Sequence, residues 1–191
     1  MEKIVQKSEL MLRKKKIILG CRIPRDFFVT SGKGESDITI HAGSFHLALR
    51  EAGIERFNII NYSSILPSIA NRIVQPKEQV HGAVLESIMA CANAKRGQNA
   101  TAAIIFGWLF NKTTGQKYGG VVCEYNGHDS KDKAESSLKK SIMELYTNGF
   151  SEDFELRDVE IRSESFKPKK KFGTALVSIC FVNHEYPVLE G

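Results

Sequence analysis

The sequence predicts an α+β fold with mostly antiparallel sheet and helices packed outside it. Three observations support this. Strand-like runs outnumber helix-like ones, helices do not alternate regularly with strands, and neither an internal repeat nor a domain boundary interrupts the 191 residues. The predicted order is strands, a helix, strands, a hairpin, a second helix and a final pair of strands.

Residues 16–30 mix β-branched and aromatic side chains and contain Pro24. They read as strand, break and strand, followed by a flexible loop at Ser31-Gly32-Lys33-Gly34. Residues 41–52 place Phe45, Ala48, Leu49 and Ala52 at helical spacing, with Gly53 available as a C-cap. Phe57 to Tyr62 reads as a short strand, and a polar, proline-containing stretch follows to Gln79. Residues 80–94 are open between strand and small-residue helix, with strand favoured over 80–88. The runs 101–110 and 117–126 flank Asn-Lys-Thr-Thr-Gly-Gln and predict a β-hairpin. Residues 130–148 form the clearest helix: Ala134, Leu138, Ile142 and Leu145 line one face, and Asp129 or Ser130 can cap its start. Strands are expected at 155–166 and 172–183, joined by a charged hairpin tip at 167–171.

The composition excludes several classes. With 42% hydrophobic and 26% charged residues, the chain is an ordinary globular one, not collagenous or disordered. No apolar run approaches the roughly 18 residues of a membrane span, so no membrane partner is expected. Twenty-seven basic residues against 22 acidic give +5, too mild a balance to indicate a nucleic-acid partner by itself. Six basic and two acidic residues fall within 1–16, which places most of the excess in an N-terminal arm ahead of a domain over 17–191. Cys21, Cys91, Cys123 and Cys180 are widely spaced, with no metal-binding or redox pair. They read as reduced thiols in a cytoplasmic protein, and no metal is expected.

SGKGES (31–36) lacks the spacing of a Walker A loop, and neither G-x-G-x-x-G nor H-E-x-x-H is present. Two places stand out. In FNIINYSSILPS (57–68) a strand pattern runs into Ser63-Ser64, and in VVCEYNG (121–127) Glu124 follows an apolar run. Read singly, the first is a strand-to-loop transition and the second a strand residue facing water. The alternative for Glu124 is a carboxyl held in apolar surroundings and able to donate a proton.

Ordered blocks link the two places: GKGES (32–36), FHLALREAGIERFNIINYSSILP (45–67), HGAVLESIMA (81–90), GGVVCEYNG (119–127), KDKAESSLKKSIMEL (131–145) and FGTALVSICFVN (172–183). Through them the chain resembles the pyruvoyl-dependent arginine decarboxylases. The resemblance implies a four-layer αββα sandwich that cuts itself between Ser63 and Ser64, leaving a β chain (1–63) and an α chain (64–191). Ser64 would become a covalent pyruvoyl group that binds the substrate amine as a Schiff base and accepts the electrons freed by loss of CO₂. Glu124 matches the catalytic acid and Asn58 the asparagine that aids the cut. The resemblance also implies a homotrimer of cleaved protomers, with pairing to a hexamer open and active sites between subunits.

One position departs from the pattern. Members acting on arginine carry an aspartate 18 residues before the pyruvoyl serine, and here that residue is His46. Imidazole cannot form the bidentate contact a carboxylate makes with guanidinium. Asp37 or Glu86 could supply the charge, or the substrate could be a different amino acid. A relative that keeps the fold without processing and serves as a binding protein is a further alternative.

Overall fold

The computed structural model describes residues 17–189, so the basic arm over 1–16 lies outside the described residues. The strands are β1 (Ile18–Leu19), β2 (Ile23–Pro24) and β3 (Asp26–Ser36). A π-helical turn, Ile40–Phe45, then runs into α1 (His46–Glu51). Next come β4 (Asn58–Asn61), β5 (Ile65–Pro67), β6 (Asn71–Arg72), β7 (Val84–Lys95), β8 (Ala100–Asn111) and β9 (Lys117–Gly127). Helix α2 (Lys131–Gly149) precedes β10 (Phe154–Phe166), β11 (Phe172–Phe181), β12 (His184–Glu185) and β13 (Val188–Leu189).

The architecture is the expected αββα sandwich. A five-stranded sheet has the order β4-β7-β11-β3-β6, and a four-stranded sheet the order β10-β8-β9-β5. All pairs are antiparallel except β4 with β7 and β3 with β6. The two-residue period of a strand divides the side chains between layers. Along β11, Ala175, Val177, Ile179 and Phe181 enter the core between the sheets, whereas Leu176 and Cys180 pack beneath α1 with Ala48, Leu49 and Ala52. Leu138 and Ile142 of α2 cover the opposite outer face against Ala103, Ile105 and Leu109. Among the described residues no helix is long and apolar enough to cross a membrane.

Several local expectations are corrected. SGKGES is not a flexible loop but the second half of β3, paired with β11 from Ser31↔Val177 to Ser36↔Phe172. Its glycines answer to packing: a Cβ at Gly32 would lie 2.2 Å from the Ala48 carbonyl oxygen, and one at Gly34 would lie 2.3 Å from that of Ser44. Only bare backbone lets α1 lie this close to the strand. Lys167–Lys171 is not a hairpin tip either, because β10 and β11 belong to different sheets. That segment is a crossover, held by Lys169 and Lys170 amides donating to Glu35 Oε2. The small-residue run at 80–94 is strand from Val84, since Ala90, Ala92 and Ala94 suit the narrow space between sheets. Leu145 is 40% exposed, and Tyr146 packs against the α2 cluster instead.

Candidate active site

Ser63 and Ser64 lie where the chain crosses from one sheet to the other. The Tyr62 amide donates to Ser87 O in the five-stranded sheet (2.7 Å), and two residues later Ser64 O accepts from the Val122 amide in the four-stranded sheet (3.1 Å). The peptide bond between the serines therefore spans the gap. Gly119 lets the following strand, β5, settle beside β9: a Cβ there would be 2.8 Å from Leu66 O.

Glu124 meets this crossover. Val122 points into the core between the sheets, so strand alternation directs Glu124 to the same side, at the margin of that core, where it is half-buried. The Ser64 hydroxyl donates to both carboxylate oxygens, at 2.6 Å to Oε1 and 2.8 Å to Oε2. Ser63 O accepts from the Ile65 amide at 2.9 Å, a donor that polarises the carbonyl preceding Ser64. A nucleophile and a polarised carbonyl thus lie in adjacent residues, and β9 brings a proton acceptor to the first of them.

Glu86 approaches from the facing sheet. It shares the inward face of β7 with Ile88 and Ala90 and is 4% exposed. Its carboxylate contacts the Tyr62 hydroxyl, the Arg22 guanidinium and His184 Nε2. The Tyr62 ring also leans on Phe181, with centroids 5.8 Å apart. Burial, and then the bond to Glu86, pushes the Tyr62 phenol above its ordinary range. The Arg22 pKa is raised first by Tyr62 and then by Glu86. Glu86 is thus engaged by groups of its own chain.

The remaining candidates lie apart from Ser64 within one protomer. Asn58 is exposed at the start of β4 and donates to Gly82 O at 2.8 Å. Four residues separate it from Ser63, three of them in strand β4, a span of up to about 17 Å. Asp37 follows the end of β3 that pairs with Phe172, receives the Lys171 amide and lies 3.7 Å from Arg96. Tyr62 packs at the other end of β11, roughly 30 Å along the strand. His46 is exposed at the start of α1. Sequence reasoning missed Tyr62, Arg22 and His184, and the amides of Ile65 and Val122. Only Tyr62, adjacent to the serine pair, carried a signal in the sequence. Among the described residues no group of three or more His, Cys, Asp or Glu side chains is disposed to hold a metal ion.

Comparison with known proteins bears on the same region. Residues 26–186 match the family described as pyruvoyl-dependent arginine decarboxylase. The pyruvoyl-dependent arginine decarboxylase AaxB of Chlamydia muridarum is 34% identical, covering 87% of this chain and 94% of that protein. AaxB of Chlamydia pneumoniae is 33% identical over the same shares. Pyruvoyl-dependent arginine decarboxylase 2 of Archaeoglobus fulgidus is 30% identical, covering 84% of this chain and 98% of its own length.

Proposed function

The chain belongs to the pyruvoyl-dependent arginine decarboxylase family, and on that premise we propose that it cuts itself between Ser63 and Ser64 and then converts arginine to agmatine and CO₂. It is a carboxy-lyase whose cofactor is a covalent pyruvoyl group. The observation carrying the reading at this site is the contact of the Ser64 hydroxyl with both oxygens of Glu124.

In the cut, Ser64 Oγ adds to the Ser63 carbonyl carbon while its proton passes to Glu124. The carbonyl oxygen gains charge under the Ile65 amide. Breaking the C–N bond leaves Ser63 as an ester on Ser64 Oγ, with the Ser64 nitrogen taking a proton. Loss of the Ser64 α-proton then expels the Ser63 carboxylate, and water releases the nitrogen as ammonia. Position 64 suits the resulting group: its carbonyl survives the conversion and is the atom held by the Val122 amide. When present, the pyruvoyl group supplies an electrophilic carbonyl and an electron sink for the amino acid. Glu124, already beside position 64, is placed to return a proton after CO₂ leaves.

Asn58 and His46 complete the proposal, His46 from a neighbouring protomer. His46 is exposed, and Ile60 and Ile65 flanking the serine pair are 45% and 68% exposed. Both facts suit a homotrimer in which a neighbouring copy closes the site. Asn58 assists the cut by leaving Gly82 O or by acting across that interface. The names of the relatives favour arginine over the other amino acid that His46 suggests.

Denaturing electrophoresis with intact mass tests the cut. The wild type gives pieces 1–63 and 64–191, the second with a blocked N-terminus, and Ser64→Ala stays whole. A wild-type chain that remains whole after long incubation overturns the reading. CO₂ release from arginine, and from none of the other common amino acids, tests the substrate.

A further inference from the structure

Glu86 and Glu124 point into the gap between the sheets from opposite sides, and each holds one end of the same crossover. Glu124 takes the Ser64 hydroxyl. Glu86 takes the hydroxyl of Tyr62, the residue just before the serine pair. We propose that Glu86 is a positioning residue for self-cleavage, which through Tyr62 fixes the approach of the chain to Ser63 so that Ser64 Oγ faces its target carbonyl. The inference rests on the proposed cut at Ser63–Ser64.

A carboxylate that is 4% exposed is costly unless it is paired and fully hydrogen-bonded. Glu86 accepts a hydrogen bond from Tyr62 and pairs with Arg22, and His184 Nε2 lies against it without a hydrogen-bond partner. Arg22 comes from the segment before β2, Tyr62 from the residue after β4, and His184 from β12. The carboxylate therefore cannot shift without losing the Tyr62 bond and the Arg22 pair, nor can Tyr62 shift without leaving it. Tyr62 is fixed at three points: its hydroxyl on Glu86, its ring on Phe181 and its amide on Ser87 O. Ser64, on the other side of the bond to be cut, is fixed by Val122 and Glu124. Ser63 thus bridges two anchored residues, which limits the torsions that could carry its carbonyl away from Oγ. Attack within one dipeptide depends on such restraint, since the nucleophile is already tethered and only orientation is left to control. Glu86 touches none of the reacting atoms, and Arg22 already faces it, so the guanidinium of a substrate is not its partner.

The test follows conversion of the full 191-residue chain into its two pieces over time. Tyr62→Phe keeps the ring on Phe181 and removes only the hydroxyl, and it cuts about 10-fold more slowly. Glu86→Gln keeps an oxygen acceptor for Tyr62 and slows cutting to a similar degree. Glu86→Leu keeps neither charge nor acceptor and also strands Arg22 beside the crossover, so it slows cutting further, up to about 100-fold, the scale of a 1 Å misplacement. The double variant Tyr62→Phe/Glu86→Gln cuts no more slowly than the slower single one, because both act through one contact. A general loss of stability would not reproduce that coupling or the partial rescue by Gln. If the Glu86 variants fail to fold, as judged by near-UV circular dichroism, Tyr62→Phe carries the test alone. Wild-type cutting by Tyr62→Phe, or multiplicative slowing in the double variant, overturns the role of Glu86 while leaving the cut at Ser64 intact. A wild type that never cuts overturns both.

Discussion

Glu124 occupies a position where one carboxylate can serve two reactions at different times. Before the proposed cut it accepts the hydrogen bond of the Ser64 hydroxyl, and in the proposed reaction it would stand beside the same residue position when a proton must be returned. Removing its basicity while keeping its shape separates contact from chemistry. Glu124→Gln is expected to fold and to slow self-cleavage by at least ~100-fold, the usual scale for loss of a general base. The ratio of whole chain to pieces over time measures it. The neighbouring Cys123 thiol is raised by burial first and by Glu124 second, so it stays protonated and does not compete as a nucleophile near neutral pH.

At the scale of elements, helix α1 depends on two glycines of the strand beneath it. Gly32→Ala and Gly34→Ala each drive a methyl into backbone that cannot give way, and each is expected to destabilise by about 1–3 kcal/mol in urea unfolding. Helix α2 is tied to the strand bearing Glu124 by a short network at its start. Ser130 caps it by accepting from the Lys133 amide. Asp129 takes the Lys133 ammonium at 2.6 Å and the Tyr125 hydroxyl at 2.8 Å. Lys133 first, and then Tyr125, hold the Asp129 carboxyl below its ordinary range. A depressed folded pKa contributes stability above the unfolded value of about 3.9, and this is lost as pH falls through the folded value. Asp129→Asn is therefore expected to unfold at a lower temperature than wild type at pH 6. The gap narrows below about pH 4, as thermal unfolding at the two pH values would read.

For the whole molecule, the cut would produce pieces that remain interleaved. Piece 1–63 supplies β4 at one edge of the five-stranded sheet and β3 deeper within it, while piece 64–191 supplies β7 and β11 between them and β6 at the other edge. Strand β3 of the first piece pairs with β11 of the second from Phe27 to Ser36. The cleaved pieces are expected to co-elute on size exclusion in native buffer and to separate only in denaturant. Early separation in native buffer would contradict this arrangement. The formal charges also divide unevenly, at +4 for residues 1–63 and +1 for 64–191.

What the sequence determined by itself is what short-range chemistry encodes. Apolar, β-branched and aromatic runs between turn signals marked the long strands, periodic apolar residues with Ser130 marked α2, and the ordered blocks around Ser63-Ser64 and Glu124 marked the family. It misread SGKGES because a glycine required by close packing looks, in sequence, like a glycine required by a turn. It misread 167–171 because two strands joined by a short link look the same whether they pair or part. Only the tertiary structure decided what meets Ser64. The Ser64–Glu124 bond joins residues 60 apart and the Tyr62–Glu86 bond residues 24 apart. Both depend on the register of facing sheets, where a slip of one residue would turn either carboxylate to the opposite face. That register is set jointly by the packed core, and no local pattern carries it.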